Sequence, residues 1–273
     1  GNASFAGQVG SDPFGAFLVD ALRHYGVDTS HTAIHPTAPT TLAFVFLDSD
    51  GERSFSFRRD NTADVILRCD QVHDSWFAGK PLVHYCSNTL TTPSIAEVTQ
   101  HVVAEARRHG CFLSFDVNLR HNLWGEGKAG RQLVNDLVMQ SDIVKFSAEE
   151  LEYLCHGERQ DYLANCFSAG VSAVLITDGP GDVVVHTAAS RHIVVPPAVE
   201  VVDTTGGGDA FIAGVLHGLC RQTDPAKASK DIARLCGIVA FAAHCGAFAV
   251  GRKGAFPSFP EFEAVQRHWQ NPA

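Results

Sequence analysis

The stretch that decides the fold is Ile95-Ala-Glu-Val98-Thr-Gln-His-Val102-Val-Ala-Glu-Ala106-Arg-Arg-His109-Gly110-Cys111-Phe-Leu-Ser-Phe-Asp116. Ile95, Val98, Val102 and Ala106 recur at helical spacing, and the pattern stops at His109-Gly110. The chain then passes directly into Cys111–Asp116, a short apolar strand with a polar end. The same cycle recurs downstream. Leu133 to Met139 reads as helix, Asp142-Ile-Val-Lys145 as strand, Ala148 to Leu154 as helix and Ala173–Thr177 as strand. Upstream, Phe14, Phe17, Leu18, Ala21, Leu22 and Tyr25 form one face of a helix, entered through Ser11-Asp12-Pro13 and closed by Gly26. Strands apolar throughout and separated by helices predict an α/β fold, a mainly parallel sheet sandwiched by helices. Ligands of such sheets bind beyond the carboxyl ends of the strands. Those ends carry Asp116, Lys145 to Glu150, and Thr177 to Asp182.

One segment departs from this cycle. Thr41-Leu-Ala-Phe44-Val-Phe46-Leu and Glu52-Arg-Ser-Phe55-Ser-Phe57-Arg-Arg59 alternate around Asp48-Ser-Asp-Gly51, which predicts an antiparallel hairpin. It is expected as a small β-sheet lid over residues 29–60, with 1–28 and 61–273 forming the main domain; an edge hairpin of the main sheet is the alternative.

Composition narrows the function classes. The 273 residues carry 21 Lys and Arg against 30 Asp and Glu, a net charge of −9. That argues against a nucleic-acid binder, which needs a basic face, and leaves room for a local anion site. No run approaches the ~20 uninterrupted apolar residues of a membrane helix, and Gly1 to Gly10 lacks the features of a signal peptide. The eight cysteines form no Cys-x-x-Cys pair and sit mostly among apolar neighbours, so reduced thiols and a cytoplasmic location are expected. The histidines do not cluster with Cys or Asp at zinc spacing.

The chemistry concentrates in Val201-Val-Asp203-Thr-Thr205-Gly206-Gly207-Gly208-Asp209-Ala-Phe-Ile-Ala-Gly214. A strand end meets three glycines, and a helix begins at once. Glycines there expose backbone N–H groups, and the helix dipole adds partial positive charge, so the turn suits a phosphate. Asp209, in the first helical turn, would repel that phosphate unless it had a task; accepting the proton of an attacking hydroxyl is one. The alternative is a tight turn with Asp209 as a cap. The chain has no Gly-x4-Gly-Lys-Ser/Thr loop, and Phe211 stands where the third glycine of a dinucleotide fingerprint would fall.

With Gly207 in place of the usual alanine, this string resembles the Asp-Thr-Thr-Gly-Ala-Gly-Asp-Ala-Phe signature of the ribokinase-like, or PfkB, carbohydrate kinases. Within that family the chain is similar to bacterial fructokinases. The similarity lies in Phe57-Arg-Arg-Asp-Asn-Thr-Ala-Asp64, in Phe115-Asp-Val-Asn-Leu-Arg120 with Leu123-Trp124, and in Val144-Lys-Phe-Ser-Ala-Glu-Glu150-Leu151. The resemblance implies a ribokinase-like fold and an ATP-dependent sugar kinase acting on a primary hydroxyl, fructose first. A 2-keto-3-deoxygluconate kinase or another ribokinase-like kinase is the alternative, and a catalytically inactive binding module a third.

It also implies roles. Asp209 would be the base, Gly206, Gly207 and Gly208 would hold the transferring phosphoryl group, and Arg120 would neutralise its charge. Asp116, Asn118, Arg120 and Arg59 would meet the sugar; plain surface positions are the alternative for the two arginines. ATP would lie against Ser147, Thr177, Asp178, Gly179, Gly181, Asp182 and Ala243. Glu150 would hold Mg²⁺ through water, with Ser147 standing where the family's Asn-x-x-Glu motif has Asn. Asp203, Thr205, Ala249, Arg252, Gly254 and Ser258 would surround K⁺, unless the C-terminal loop holds no ion. The lid would support a homodimer. The family opens with a strand and a Gly-Gly-x-x-x-Asn-x-Ala sugar loop that would precede Gly1, so an N-terminally trimmed sequence is expected.

Overall fold

The computed structural model describes residues 2–47, 53–125 and 127–270, and the chain divides into two compact units. The first comprises Gly1–Pro81, Ser87–Gly110 and Arg120–Gly130. It holds β1 (Gly7–Gly10), α1 (Pro13–His24), β2 (Thr32–His35), β3 (Leu42–Leu47), β4 (Arg53–Arg58) and α2 (Pro93–His109). Asp12 caps α1, accepting the Gly15 N–H at 2.8 Å, and Pro13 occupies the first turn. β1 and β2 pair in parallel. β3 and β4 pair antiparallel, Leu42 opposite Arg58 and Leu47 opposite Arg53, as the alternation predicts. The connecting turn, Asp48 to Glu52, lies outside the described residues.

The unit's limits differ from the expected lid at 29–60. Hydrogen bonds tie both flanks of the hairpin to β1 and to the segment after β4. Gln8 donates to the Ala63 carbonyl (2.7 Å), Gly10 N–H to Thr40 Oγ1 (3.0 Å), Ala63 N–H to the Pro39 carbonyl (2.9 Å) and Thr41 to Asp64 (2.6 Å).

The second unit comprises Leu82–Cys86, Cys111–Leu119 and Arg131–Ala273. Its strands are β5 (Leu82–Cys86), β6 (Phe112–Asp116), β7 (Ile143–Ser147), β8 (Ala173–Thr177), β9 (Val183–Thr187) and β10 (Arg191–Val194). Its helices are α3 (Arg131–Val138), α4 (Ala148–Cys155), α5 (Arg159–Ala169), α6 (Gly207–Cys220), α7 (Pro225–Lys230), α8 (Ile232–Val250) and α9 (Phe262–Gln270). The six strands form one sheet in the order β10-β9-β8-β7-β6-β5. β5 to β8 run parallel, β9 pairs antiparallel with β8 and β10 antiparallel with β9, so the sheet is mixed. The β8–β9 link, Asp178 to Asp182, is too short for the crossover that a parallel partner needs.

Side chains alternate between the faces of β6, β7 and β8. One face carries Leu113, Phe115, Val144, Phe146, Val174 and Ile176, all buried. The other begins apolar, with Ile143 and Ala173 packed against Phe211, Val215 and Leu219 of α6 and Leu235, Val239 and Ala242 of α8. Towards the carboxyl ends the same face turns polar, through Ser114, Asp116, Lys145, Ser147 and Thr177.

α6 and α8 approach closely: a Cβ on Gly214 would lie 2.7 Å from Ala242 Cα, and one on Gly218 would lie 2.6 Å from Ile238 Cγ2. α8 is long and apolar enough to cross a membrane. Arg234 and His244 interrupt it, and its apolar residues fill the core cluster beneath the sheet.

Candidate phosphoryl-transfer site

The glycine turn is built as its sequence requires. Gly206 caps α6 in the left-handed region, φ +78°. A Cβ there would lie 2.7 Å from the Phe259 ring, and one on Gly207 would lie 2.6 Å from Val250 Cγ1. Both positions therefore crowd out a side chain, and at Gly206 the left-handed backbone disfavours one as well. Gly208 and Asp209 are exposed in the first turn of α6, where backbone N–H groups have no intrahelical acceptors. An anion can approach along the helix axis, with the Asp209 carboxylate beside it.

Asp203 fixes this turn to the C-terminal loop. Its Oδ1 accepts the Thr205 N–H (2.8 Å) and its Oδ2 accepts the Gly254 N–H (3.0 Å). The N–H groups of Val202 and Asp203 both donate to the Val250 carbonyl. Asp203, Thr205 and Gly254 are thus brought together. The Ala249 carbonyl already accepts the Arg252 N–H (3.1 Å), and Ser258, fully buried, donates to the Ala255 carbonyl (2.8 Å).

Ser147 and Glu150 form a capping box at the start of α4. The Ser147 hydroxyl accepts the Glu150 N–H (3.1 Å), and Glu150 Oε2 accepts the Ser147 N–H (2.7 Å). Glu150 Oε1 accepts the Leu119 N–H (2.8 Å), so the same carboxylate fixes the strand-end loop after Asp116. Thr177 donates to the Phe146 carbonyl (3.2 Å), and the turn after it is closed by Gly181 N–H to the Asp178 carbonyl (2.7 Å). Asp178, Gly179 and Asp182 are exposed.

Asp116 is 2% exposed and pairs at 3.0 Å with Lys145, which the sequence placed among the strand-end positions without a role of its own. The two stand side by side on β6 and β7. Burial pushes the Asp116 carboxyl up to about 6; the Lys145 charge opposes that rise, and the Glu150 and Asp209 charges add to it. Asp209, Glu150 and Asp116 therefore share one electrostatic neighbourhood. The signal that would have found Lys145 is a charge inside the apolar strand Ile143-Val-Lys-Phe, at a position facing the helices.

Two of the expected site residues are engaged within the fold. The Arg59 guanidinium is committed within the first unit, donating to Asp64 Oδ2 (2.8 Å), Thr91 Oγ1 (3.0 Å) and the Asn88 carbonyl (2.9 Å). It is a strut of that unit. Ala243 is buried in the core cluster, on the face of α8 that packs under the sheet. Asn118 adopts a left-handed conformation, φ +38°, just beyond β6. Arg120 is exposed and belongs to the first unit.

What this arrangement defines is a class: α/β proteins with a glycine turn at a helix N-terminus, a geometry suited to an anion. Within that class the chain belongs to the pfkB family of carbohydrate kinases, whose model matches residues 1–261. It is 35% identical over 270 residues to Fructokinase-1 of Zea mays, spanning 97% of this chain and 82% of that protein. Fructokinase of Xylella fastidiosa with bound ATP superposes with a TM-score of 0.92 at 36% identity, covering 98% of this chain and 84% of that one. Fructokinase of Vibrio cholerae O395 with fructose, ADP and calcium gives a TM-score of 0.87 at 33% identity, covering 98% and 85%. Another form of that enzyme holds a potassium ion.

Proposed function

We propose that the chain is an ATP-dependent fructokinase, transferring the γ-phosphoryl group to the primary hydroxyl of fructose. The observation that carries this reading is the Gly206–Gly208 turn on α6 with Asp209 exposed in its first turn. Asp209 takes the hydroxyl proton, and the N–H groups of the turn receive the phosphoryl oxygens. Asp116 and Asn118, at the end of β6, face the sugar, and the role of Arg120 in neutralising charge rests on the family resemblance. Ser147 and the Thr177–Asp182 turn bound the nucleotide, which accords with the ATP in the Xylella fastidiosa enzyme.

Glu150 fits a water-mediated Mg²⁺: each of its oxygens accepts one N–H and keeps a lone pair. The metal, when bound, neutralises phosphate charge. Asp203, Thr205 and carbonyls of the C-terminal loop form an all-oxygen donor set suited to K⁺, with Asp203 its charged member. We further assign the β3–β4 hairpin as a lid that supports a homodimer. The eight free cysteines accord with a reducing cytoplasm.

Coupled detection of ADP with Mg-ATP and K⁺ tests the reading. Fructose is expected to drive turnover, and 2-keto-3-deoxygluconate to drive little. Turnover with the keto acid alone overturns the substrate, and ADP release with neither sugar overturns the kinase assignment.

A further inference from the structure

Lys145 has more donors than the fold uses. Its side chain is 8% exposed, and an ammonium carries three N–H donors. Asp116 accepts one of them at 3.0 Å. Among the described residues no other acceptor takes the remaining two, in a position where an unmet charged donor is costly. The same ammonium lies 3.6 Å from the point where a Cβ on Gly208 would stand. A side chain at Gly208 would thus meet Lys145, so the ammonium stands beside the glycine turn. The strand places it there: Ile143, two residues earlier on the same face, packs against α6, so Lys145 meets the start of that helix.

We propose that Lys145 is a catalytic residue of the phosphoryl transfer, its two unmet donors hydrogen-bonding the oxygens of the group held by Gly206–Gly208. This rests on the kinase reading above and adds a cation to it. In the step, the sugar oxygen bonds to phosphorus as its proton passes to Asp209. The bond from phosphorus to the bridging oxygen of ADP breaks, and its electron pair leaves with ADP. Lys145 transfers no proton. It gives hydrogen bonds that strengthen as charge spreads over the phosphoryl oxygens, and Asp116 holds it in place.

The test compares wild type with K145M and K145Q, the latter keeping a donor for Asp116. Steady-state kinetics with fructose and ATP are read beside thermal unfolding. The expected result is a loss in kcat of about 10²- to 10³-fold in both variants, as for other preorganised donors. Both Michaelis constants should stay within about threefold and the unfolding midpoint should be retained. A kcat within about threefold of wild type in either folded variant overturns the proposal. So does a rise in the fructose KM with kcat intact, which would make Lys145 a holder of the sugar site. Failure of both variants to fold also overturns it, assigning Lys145 to the sheet. If wild type itself shows no sugar-dependent turnover, the kinase reading fails first, and the variants need not be made to see it.

Discussion

The two faces of β6 and β7 differ in chemistry although they alternate along the same few peptides. One carries Leu113, Phe115, Val144 and Phe146, each fully buried and each apolar. The other carries Ser114, Asp116 and Lys145, also buried, around an ion pair that ends beneath the glycine turn. A buried carboxylate and ammonium gain little net stability over apolar residues of similar size. Their presence in the best-packed part of the sheet therefore marks a place where the chain gives up cohesion for charge. The apolar face holds the strands in register, and the polar face uses that register to set Asp116 and Lys145 against α6.

Substitutions on each side test this division. Asp209→Ala carries the largest expected effect: a loss in kcat of about 10²- to 10⁴-fold, the span of general-base removal, with the unfolding midpoint nearly unchanged because the side chain is exposed. Retained turnover would remove Asp209 from the base role and blur the comparison. Phe115→Ala on the other face should do the reverse. A buried Phe→Ala change costs about 3–5 kcal/mol of stability, read by denaturant melts, while kcat of the folded fraction stays near wild type.

The smallest effect is a pH dependence. The carboxyl of Asp116 titrates at about 6 in the folded chain against an ordinary 3.8, so the folded state binds its proton more tightly. Its favourable contribution is full below about pH 3.8 and is lost as pH rises through about 6. The slope is negative because the unfolded chain binds fewer protons there, and the whole change amounts to about 3 kcal/mol. Asp116→Asn should remove this fall, so that the variant gains on wild type in melts between pH 4 and 7. Parallel curves would place the charge in contact with solvent.

Much of this division was legible in sequence. The helix-to-strand cycle located β6, β7 and β8 within a residue or two, and the three glycines marked the start of α6. What sequence left out has physical causes. Lys145 closes an apolar run and reads as a strand end; only the tertiary packing of α6 shows that it is covered. Arg59 looked available because two of its acceptors, Asn88 and Thr91, are 29 and 32 residues away in the chain. α8 is apolar around most of its circumference, so periodicity does not say which side Ala243 occupies. The antiparallel pairing of β9 and β10 was missed because the sequence reading followed the helix-to-strand cycle, which predicts parallel neighbours.

The hydrogen atom that serves as the side chain of Gly214 works as a gauge. Where α6 crosses α8, the separation of the two axes is fixed by the absence of one methyl group. The glycine turn lies about 10 Å further along the same rigid rod, seven residues at ~1.5 Å each. A methyl at Gly214 would press on Ala242 of α8 and shift α6, and with it the turn, relative to the ammonium anchored in the sheet. The dimension of the site is therefore written at a position that touches none of its residues.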